Sequence, residues 1–173
     1  MKLQSTGFTI DVRIEIPKGS RNKYEYDPLK KAIKLDRMLF SAVHYPSDYG
    51  YIQDTLGEDG DPLDALVLVT EPTFPGCLIE SKPIGLFKMW DEKGPDEKIV
   101  CVPIGDPYWN HIEILEDLPP HLLKEIEHFF IVYKDLEEKK TGIDGWGSRE
   151  QAIEVIEQAK LRFRQQLDYS TME

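Results

Sequence analysis

The sequence predicts an α+β fold, mainly β. It implies a strongly curved sheet of short strands, compatible with a small closed barrel, carrying helices on its outside. Three observations carry this expectation. Short segments that alternate with a period of two, or run apolar for a few residues, recur between residue 8 and about residue 102, the pattern of strands. Helical spacing appears only after Pro107. The twelve Gly and twelve Pro are scattered as turn signals and form no low-complexity tract. A chain of 173 residues fits one domain, 1–173, long enough to bury a core without disulfide staples.

The elements follow in order. Phe8, Ile10, Val12, Ile14 and Ile16 alternate with Thr9, Asp11, Arg13 and Glu15, a half-buried strand ended by Pro17. Glu15 lies on its polar face. After a turn at 18–22, Lys23, Glu25 and Asp27 alternate with Tyr24 and Tyr26 in a second short strand. In a third, Ile33, Leu35, Arg37 and Leu39 share one face. Arg37 is then the odd residue on an apolar face and needs an anionic partner, either an internal carboxylate or a bound anion. Residues 41–62 read as an ordered loop with short extended pieces. Leu63–Val69 is a buried strand, Leu78–Glu80, Pro83–Trp90 and Ile99–Val102 are further strands, and Asp91–Lys98 is a charged hairpin loop. Pro119 and Pro120 open a helix over 119–133, with Leu122, Ile126, Phe129 and Tyr133 on one face. Ser148 and Gln151 form a capping box before a second helix, 149–167. Met172-Glu173 is a polar fringe.

Charge and composition exclude several classes. Thirty-two acidic against 21 basic residues give a net charge of −11, a poor field for nucleic acid. No run approaches the ~18 apolar residues of a membrane span. The stretch MKLQSTGFTIDVRIEIP lacks the continuous apolar core of a signal peptide. Cys77 and Cys101 sit among apolar residues and read as buried thiols, with no disulfide framework. The expected compartment is the cytoplasm, with no membrane or nucleic-acid partner.

The sharpest local signal is Asp59-Gly60-Asp61-Pro62-Leu63-Asp64, three carboxylates within six residues at the entry to an apolar strand. Pro62 fixes φ and Gly60 permits a tight turn, so the acids sit on a stiff segment. Such close like charges repel unless a cation neutralises them. Mg²⁺ suits carboxylate oxygens shared with water and phosphate. An EF-hand starting at Asp59 fails, because its sixth and twelfth places hold Asp64 and Thr70. A solvated acidic turn is the bland alternative. Asp91-Glu92 and Asp96-Glu97, taken alone, read better as a solvated loop. Their weight comes from the basic and phenolic set of Lys23, Arg37, Tyr45, Tyr49, Tyr133 and Lys134. Carboxylates for metals and bases for anions are the two halves of a metal-assisted phosphoryl-transfer site. Periodicity does not show that they meet.

At these residues the chain resembles the soluble inorganic pyrophosphatases of the barrel-fold type, in their short bacterial form. Besides the Asp59–Asp64 segment, the matching pieces run in order. They are Ile14-Glu15-Ile16-Pro17, Lys23-Tyr24-Glu25, Leu35-Asp36-Arg37, Tyr45-Pro46, Asp48-Tyr49-Gly50, Met89-Trp90-Asp91-Glu92, Asp96-Glu97-Lys98 and His128-Phe129-Phe130 with Tyr133-Lys134-Asp135-Leu136-Glu137. The likeness covers residues 8–168. It implies a five-stranded barrel of the OB type with helices outside, and hydrolysis of pyrophosphate to two phosphates with several Mg²⁺ per subunit. Mn²⁺ or Zn²⁺ are implied as substitutes. It implies Asp59, Asp64, Asp96, Glu15 and Asp91 as metal ligands and Asp61 as the base for the attacking water. Lys23, Arg37, Tyr133 and Lys134 would hold phosphate, with Tyr49, Arg37 and Lys134 counted with Asp61 in the catalytic set. Glu25, Tyr45 and Lys98 would support the site. A homohexamer is implied.

Two departures from the family pattern stand out. The segment Glu138-Lys139-Lys140-Thr141-Gly142-Ile143-Asp144-Gly145-Trp146 lacks a lysine close before Gly-Trp. Val132 replaces the second of two histidines that bacterial members often place four residues apart, His128 being the first. Two other readings remain open at this point: a hydrolase of another small phosphoanhydride, such as a nucleoside triphosphate, and a non-catalytic OB module that binds single-stranded nucleic acid through Tyr45, Tyr49 and Tyr51.

Overall fold

A computed structural model describes residues 7–172. Residues 1–6, part of the stretch read above against a signal peptide, and Glu173 of the polar fringe lie outside the described residues. The strands are β1 (Ile10–Ile16), β2 (Asn22–Asp27), β3 (Ala32–Met38), β4 (Asp48–Ile52), β5 (Asp64–Val67), β6 (Leu78–Asp91), β7 (Gly94–Pro103) and β8 (Gly142–Gly147). The helices are α1 (Pro120–Val132) and α2 (Arg149–Ser170), with single 3-10 turns at Leu115–Asp117 and Asp135–Glu137.

Five strands close a ring. The sheet runs β1-β4-β5-β7-β6, and β6 pairs back onto β1 through Ile10↔Ser81 to Arg13↔Leu78. Among the described strands only β5 and β7 are parallel, with Asp64 opposite Lys98. Closure leaves the five ring strands paired on both sides, and β8 adds a sixth strand along β6. Gly50 permits the tight approach of β4 to β1, since a Cβ there would collide with the Arg13 carbonyl. This is the α+β barrel with outer helices that the sequence predicts.

Alternate residues of the central strands feed two cores. Leu66, Leu68, Phe87, Met89, Val100 and Val102 pack with Ile126, Phe129 and Phe130 of α1. Ala65, Val67, Leu86, Ile99 and Cys101 pack with Val12 and Ile14, and with Ala152, Ile156 and Ala159 of α2. Both faces are covered, which is why 63–69 reads as a continuous apolar run. Helix α1 begins with Pro120 at its first position. Helix α2 has the expected capping box: Gln151 N donates to Ser148 Oγ at 3.2 Å, and Ser148 N donates to Gln151 Oε1 at 2.9 Å. It runs three residues beyond the expected end at 167.

Four expectations about the elements need correction. Strand β3 is not a core strand. It pairs only with β2, in a two-stranded ribbon outside the barrel, and Leu35 is 55% exposed. The alternation over 32–38 marks a ribbon outside the barrel, and only Leu39, just past the strand, enters the core. Residues 78–91 form one bent strand rather than two, with an irregularity in pairing between Pro83 and Gly85. The 91–98 hairpin loop shrinks to Glu92-Lys93, its remainder being paired in β6 and β7. Strand β8 falls in a segment given no element, because its glycines leave no alternating pattern. Cross-strand pairing with β6 makes it a strand, from Leu86↔Gly147 to Trp90↔Gly142.

The two thiols differ. Cys101 is fully buried, and burial pushes its thiol pKa up, so it is held as an unreactive thiol. Cys77 is only partly buried, which corrects the expectation of two buried thiols. A thiol-reactive chromophore is expected to label one group per chain quickly in native protein and two in denaturant. Rapid labelling of both in native protein would contradict this packing.

Candidate active site

The barrel presents one large cavity, of about 1250 Å³, between its mouth, the β2–β3 ribbon and the end of α1. All fourteen site residues expected from the sequence line it. Glu15 comes from the end of β1, Lys23 and Glu25 from β2, and Arg37 from β3. Tyr49 comes from β4, Asp64 from the first position of β5, Asp91 from the last of β6, and Asp96 and Lys98 from β7. Tyr133 and Lys134 follow the last turn of α1. Tyr45 is 1% exposed and packs on Tyr49 and Phe129, so it forms part of the floor.

The acid loop is stiff for reasons visible around it. Thr55 Oγ1 donates to Ile52 O at 2.6 Å and accepts from Leu63 N at 3.0 Å, closing the loop's base. Gly57 N donates to Asp61 O at 2.7 Å, and Asp61 N donates to Asp59 Oδ1 at 3.0 Å. Gly60 takes φ +88°, a conformation glycine adopts without a Cβ penalty. Helix α2 clamps the outside, with Leu56 N donating to Ala159 O and Arg162 Nε to Leu56 O. Asp59 and Asp61 remain exposed toward the cavity mouth while Asp64 sits deeper.

At the bottom, the Lys98 ammonium is 1% exposed. It donates to Tyr49 Oη at 2.8 Å, Asp96 Oδ2 at 3.0 Å and Asp64 Oδ2 at 3.2 Å. It also lies over the rings of Tyr49 and Phe130. Burial alone would favour its neutral form, but the two carboxylates outweigh burial and raise its pKa. Burial pushes the Asp64 carboxyl up; Lys98 opposes that shift and Asp96 adds to it. Burial likewise raises Glu15 to about 7, despite the 2.7 Å hydrogen bond it accepts from Tyr26 N, with Asp64 and Glu25 adding repulsion. Burial lifts Tyr45 and Tyr49 well above the ordinary phenol value, so both stay neutral phenols.

The walls carry the cations. Lys134 Nζ lies 3.2 Å from Asp91 Oδ2 and 3.6 Å from Glu92 Oε2. Lys23 Nζ lies 3.0 Å from Asp36 Oδ2 and 3.8 Å from Glu25 Oε2. Arg37 Nη1 donates to Asp36 Oδ2 at 2.5 Å and Nη2 to Glu137 Oε2 at 3.2 Å. Arg37 therefore has the anionic partners expected of it, but in a cavity wall and not on an apolar sheet face. The Asp91–Lys98 segment is likewise no solvated loop. Its Asp91, Asp96 and Lys98 side chains turn into the cavity.

Several residues in or beside the lining escaped the sequence reading as site residues: Asp36, Glu92 and Lys139 line the cavity, and Glu137 sits behind Arg37. Asp36, Glu92 and Glu137 neutralise the three wall cations, and Lys139 reaches Glu92 Oε1 at 3.6 Å. Asp36 and Glu92 were legible as direct neighbours of Arg37 and Asp91. Glu137 lies a hundred positions from Arg37, and no local pattern joins them.

Among the described residues, no trio of His, Cys, Asp or Glu is gathered around one point for chelation. The donor chemistry nevertheless fits a hard cation. Glu15, Asp59, Asp61, Asp64, Asp91 and Asp96 line one cavity with oxygen ligands only, and two of them have proton affinities raised by burial. Carboxylate oxygens in this setting suit a hard divalent cation, and the facing Lys and Arg groups suit a polyanion.

The closed barrel and its acid- and cation-lined mouth define a class: small β-barrel proteins equipped for metal-assisted phosphoryl chemistry. The family model described as inorganic pyrophosphatase matches residues 12–164. The chain belongs to this inorganic pyrophosphatase family. It is 62% identical over 152 residues to the inorganic pyrophosphatase of Methanosarcina acetivorans, covering 88% of this chain and 90% of that one. It is 54% identical over 158 residues to that of Streptomyces coelicolor, covering 90% and 96%. The crystal structure of inorganic pyrophosphatase from Thermus thermophilus superposes with a TM-score of 0.89 at 44% identity, covering 93% of this chain and 94% of that chain.

Proposed function

We propose that this chain is a Mg²⁺-dependent inorganic diphosphatase that hydrolyses pyrophosphate to two phosphates by direct attack of water. One observation carries the reading: a stiff loop brings Asp59, Asp61 and Asp64 to the same cavity as Lys23, Arg37 and Lys134. Family membership supports it.

Asp59, Asp64 and Asp96, with Glu15 and Asp91, are the residues that would hold the metal ions. When bound, Mg²⁺ supplies Lewis acidity and offsets the negative charge of carboxylates and substrate oxygens. Asp61, exposed at the mouth, takes a proton from the attacking water as its oxygen bonds to phosphorus. The bridging P–O bond breaks, and its electron pair leaves with the departing phosphate. Lys23, Arg37, Tyr133 and Lys134 bind the phosphate oxygens and stabilise the charge that develops there. The neutral Tyr49 hydroxyl accepts from Lys98, which orients its own proton. Glu25, Tyr45 and Lys98 hold these groups in place.

The test is phosphate release from pyrophosphate, ATP and tripolyphosphate by purified protein, with Mg²⁺ and with excess EDTA. Pyrophosphate is expected to be preferred, with activity lost in EDTA. Mn²⁺ or Zn²⁺ is expected to restore part of it. Preference for ATP under Mg²⁺, or full activity in EDTA, would overturn the reading.

The proposal extends to a single domain over 1–173, a cytoplasmic location and a homohexamer. The location is supported by two free thiols. In Mg²⁺ buffer at micromolar concentration, sedimentation is expected to show a species near six chain masses. A persistent monomer of 20.0 kDa would refute the assembly.

A further inference from the structure

Arg37 is gripped from two sides. Asp36 accepts from Nη1 at 2.5 Å, and Glu137 accepts from Nη2 at 3.2 Å. Glu137 Oε1 also lies 2.6 Å from Nε, in an orientation that makes no hydrogen bond. The Glu137 side chain is only 6% exposed, against 21% for Arg37. Burying a carboxylate is costly unless a cation accompanies it. Here the accompanying cation comes from another element, the ribbon that walls the cavity. Arg37 stands on the ribbon opposite Lys23, whereas Glu137 ends the 3-10 turn that follows Tyr133 and Lys134. The contact spans a hundred residues and joins the two walls that carry the phosphate-binding cations.

We propose that Glu137 is a positioning residue for Arg37. Its carboxylate fixes the guanidinium plane at the cavity wall and so sets the affinity for the substrate polyanion. This inference rests on the diphosphatase reading. The guanidinium has five N–H donors in a rigid fork, so anchoring Nη1 and Nη2 by one bond each leaves donors for a phosphate oxygen. Without Glu137, Asp36 is left as the guanidinium's anionic anchor, and Asp36 is shared with Lys23. The fork then swings with the exposed ribbon, and ordering it falls to the substrate.

The experiment is a double-mutant cycle of Glu137→Gln and Arg37→Ala, read as KM and kcat for pyrophosphate at saturating Mg²⁺, with circular dichroism as the fold check. Glu137→Gln is expected to raise KM about tenfold, the size of one lost charge-assisted contact, and to change kcat far less. In the Arg37→Ala background the same substitution is expected to leave KM unchanged, because a group acting through Arg37 has nothing left to position. Glu137→Asp is expected to recover part of the KM. Independent effects in the cycle, or a fall in kcat at unchanged KM, would overturn the inference. So would unfolding of both Gln and Asp variants, which would make the contact a structural brace. A wild-type protein inactive on pyrophosphate would instead overturn the diphosphatase reading on which the inference stands.

Discussion

Asp61→Asn is expected to lower turnover by about 10²–10⁴ at neutral pH, the usual cost of removing a general base. The fold is expected to be unaffected. Asp61 is exposed, and the bonds that shape its loop are made by its backbone: Gly57 N to Asp61 O, and Asp61 N to Asp59 Oδ1. Asparagine keeps those bonds and nearly the same shape, but its amide does not take the proton. Binding of the first Mg²⁺ is expected to change little. Asp64→Asn is the contrasting variant. It removes a charged oxygen from the buried end of the loop and one of the two carboxylates that hold Lys98. Its Mg²⁺ affinity is expected to fall visibly, with partial rescue of activity by higher Mg²⁺. Calorimetric Mg²⁺ titration beside turnover at saturating metal separates the two. Near-normal turnover of Asp61→Asn at neutral pH would assign the proton to another acceptor. Loss of its first metal would show that the loop's acids are not divided between base and ligands as proposed.

Lys98→Met is expected to produce the largest loss of stability of any single change at the site. The ammonium is 1% exposed and hydrogen-bonds Asp64, Asp96 and Tyr49. Methionine matches its length and keeps the packing over Tyr49 and Phe130, so the lost item is charge rather than volume. Two carboxylates then face each other without that cation. Breaking a buried pair in this way costs about 3–5 kcal/mol. For a chain of this size that corresponds to a drop in melting temperature of roughly 6–20 °C in metal-free buffer. Added Mg²⁺ is expected to close part of the gap, since an ion ligated by Asp64 and Asp96 restores positive charge between them. A drop below about 2 °C would mean that solvent already screens these acids. A full drop that Mg²⁺ leaves untouched would place the acids outside the metal site.

Two kinds of information meet in this molecule, and they differ in range. Local chemistry was legible along the chain. The period of two at 8–16, the helical spacing at 122–133, the Ser148/Gln151 capping box and the Gly60-Pro62 stiffening of the acid loop depend on neighbours within a few residues. The matching motif pieces, in order, likewise identified the family and the fourteen residues found around the cavity. Long-range pairing was not legible. Strand β8 exists because β6 offers it a partner, and its glycines admit that pairing without advertising it. Leu35 alternates like a core residue, yet lies in a ribbon open to solvent. Glu137 and Arg37 are a hundred positions apart.

The sequence by itself determined which groups this protein has for chemistry: three carboxylates on a stiff turn, with further acids, cations and phenols along the chain. Only the tertiary structure decided which of these groups meet, and in what charge state. Lys98 is an ordinary lysine in the chain and a buried counter-ion in the barrel. Glu15 is an ordinary strand carboxylate raised to about 7. The physical reason is that burial and the facing charges set a group's proton affinity, and both are properties of the closed sheet rather than of adjacent residues.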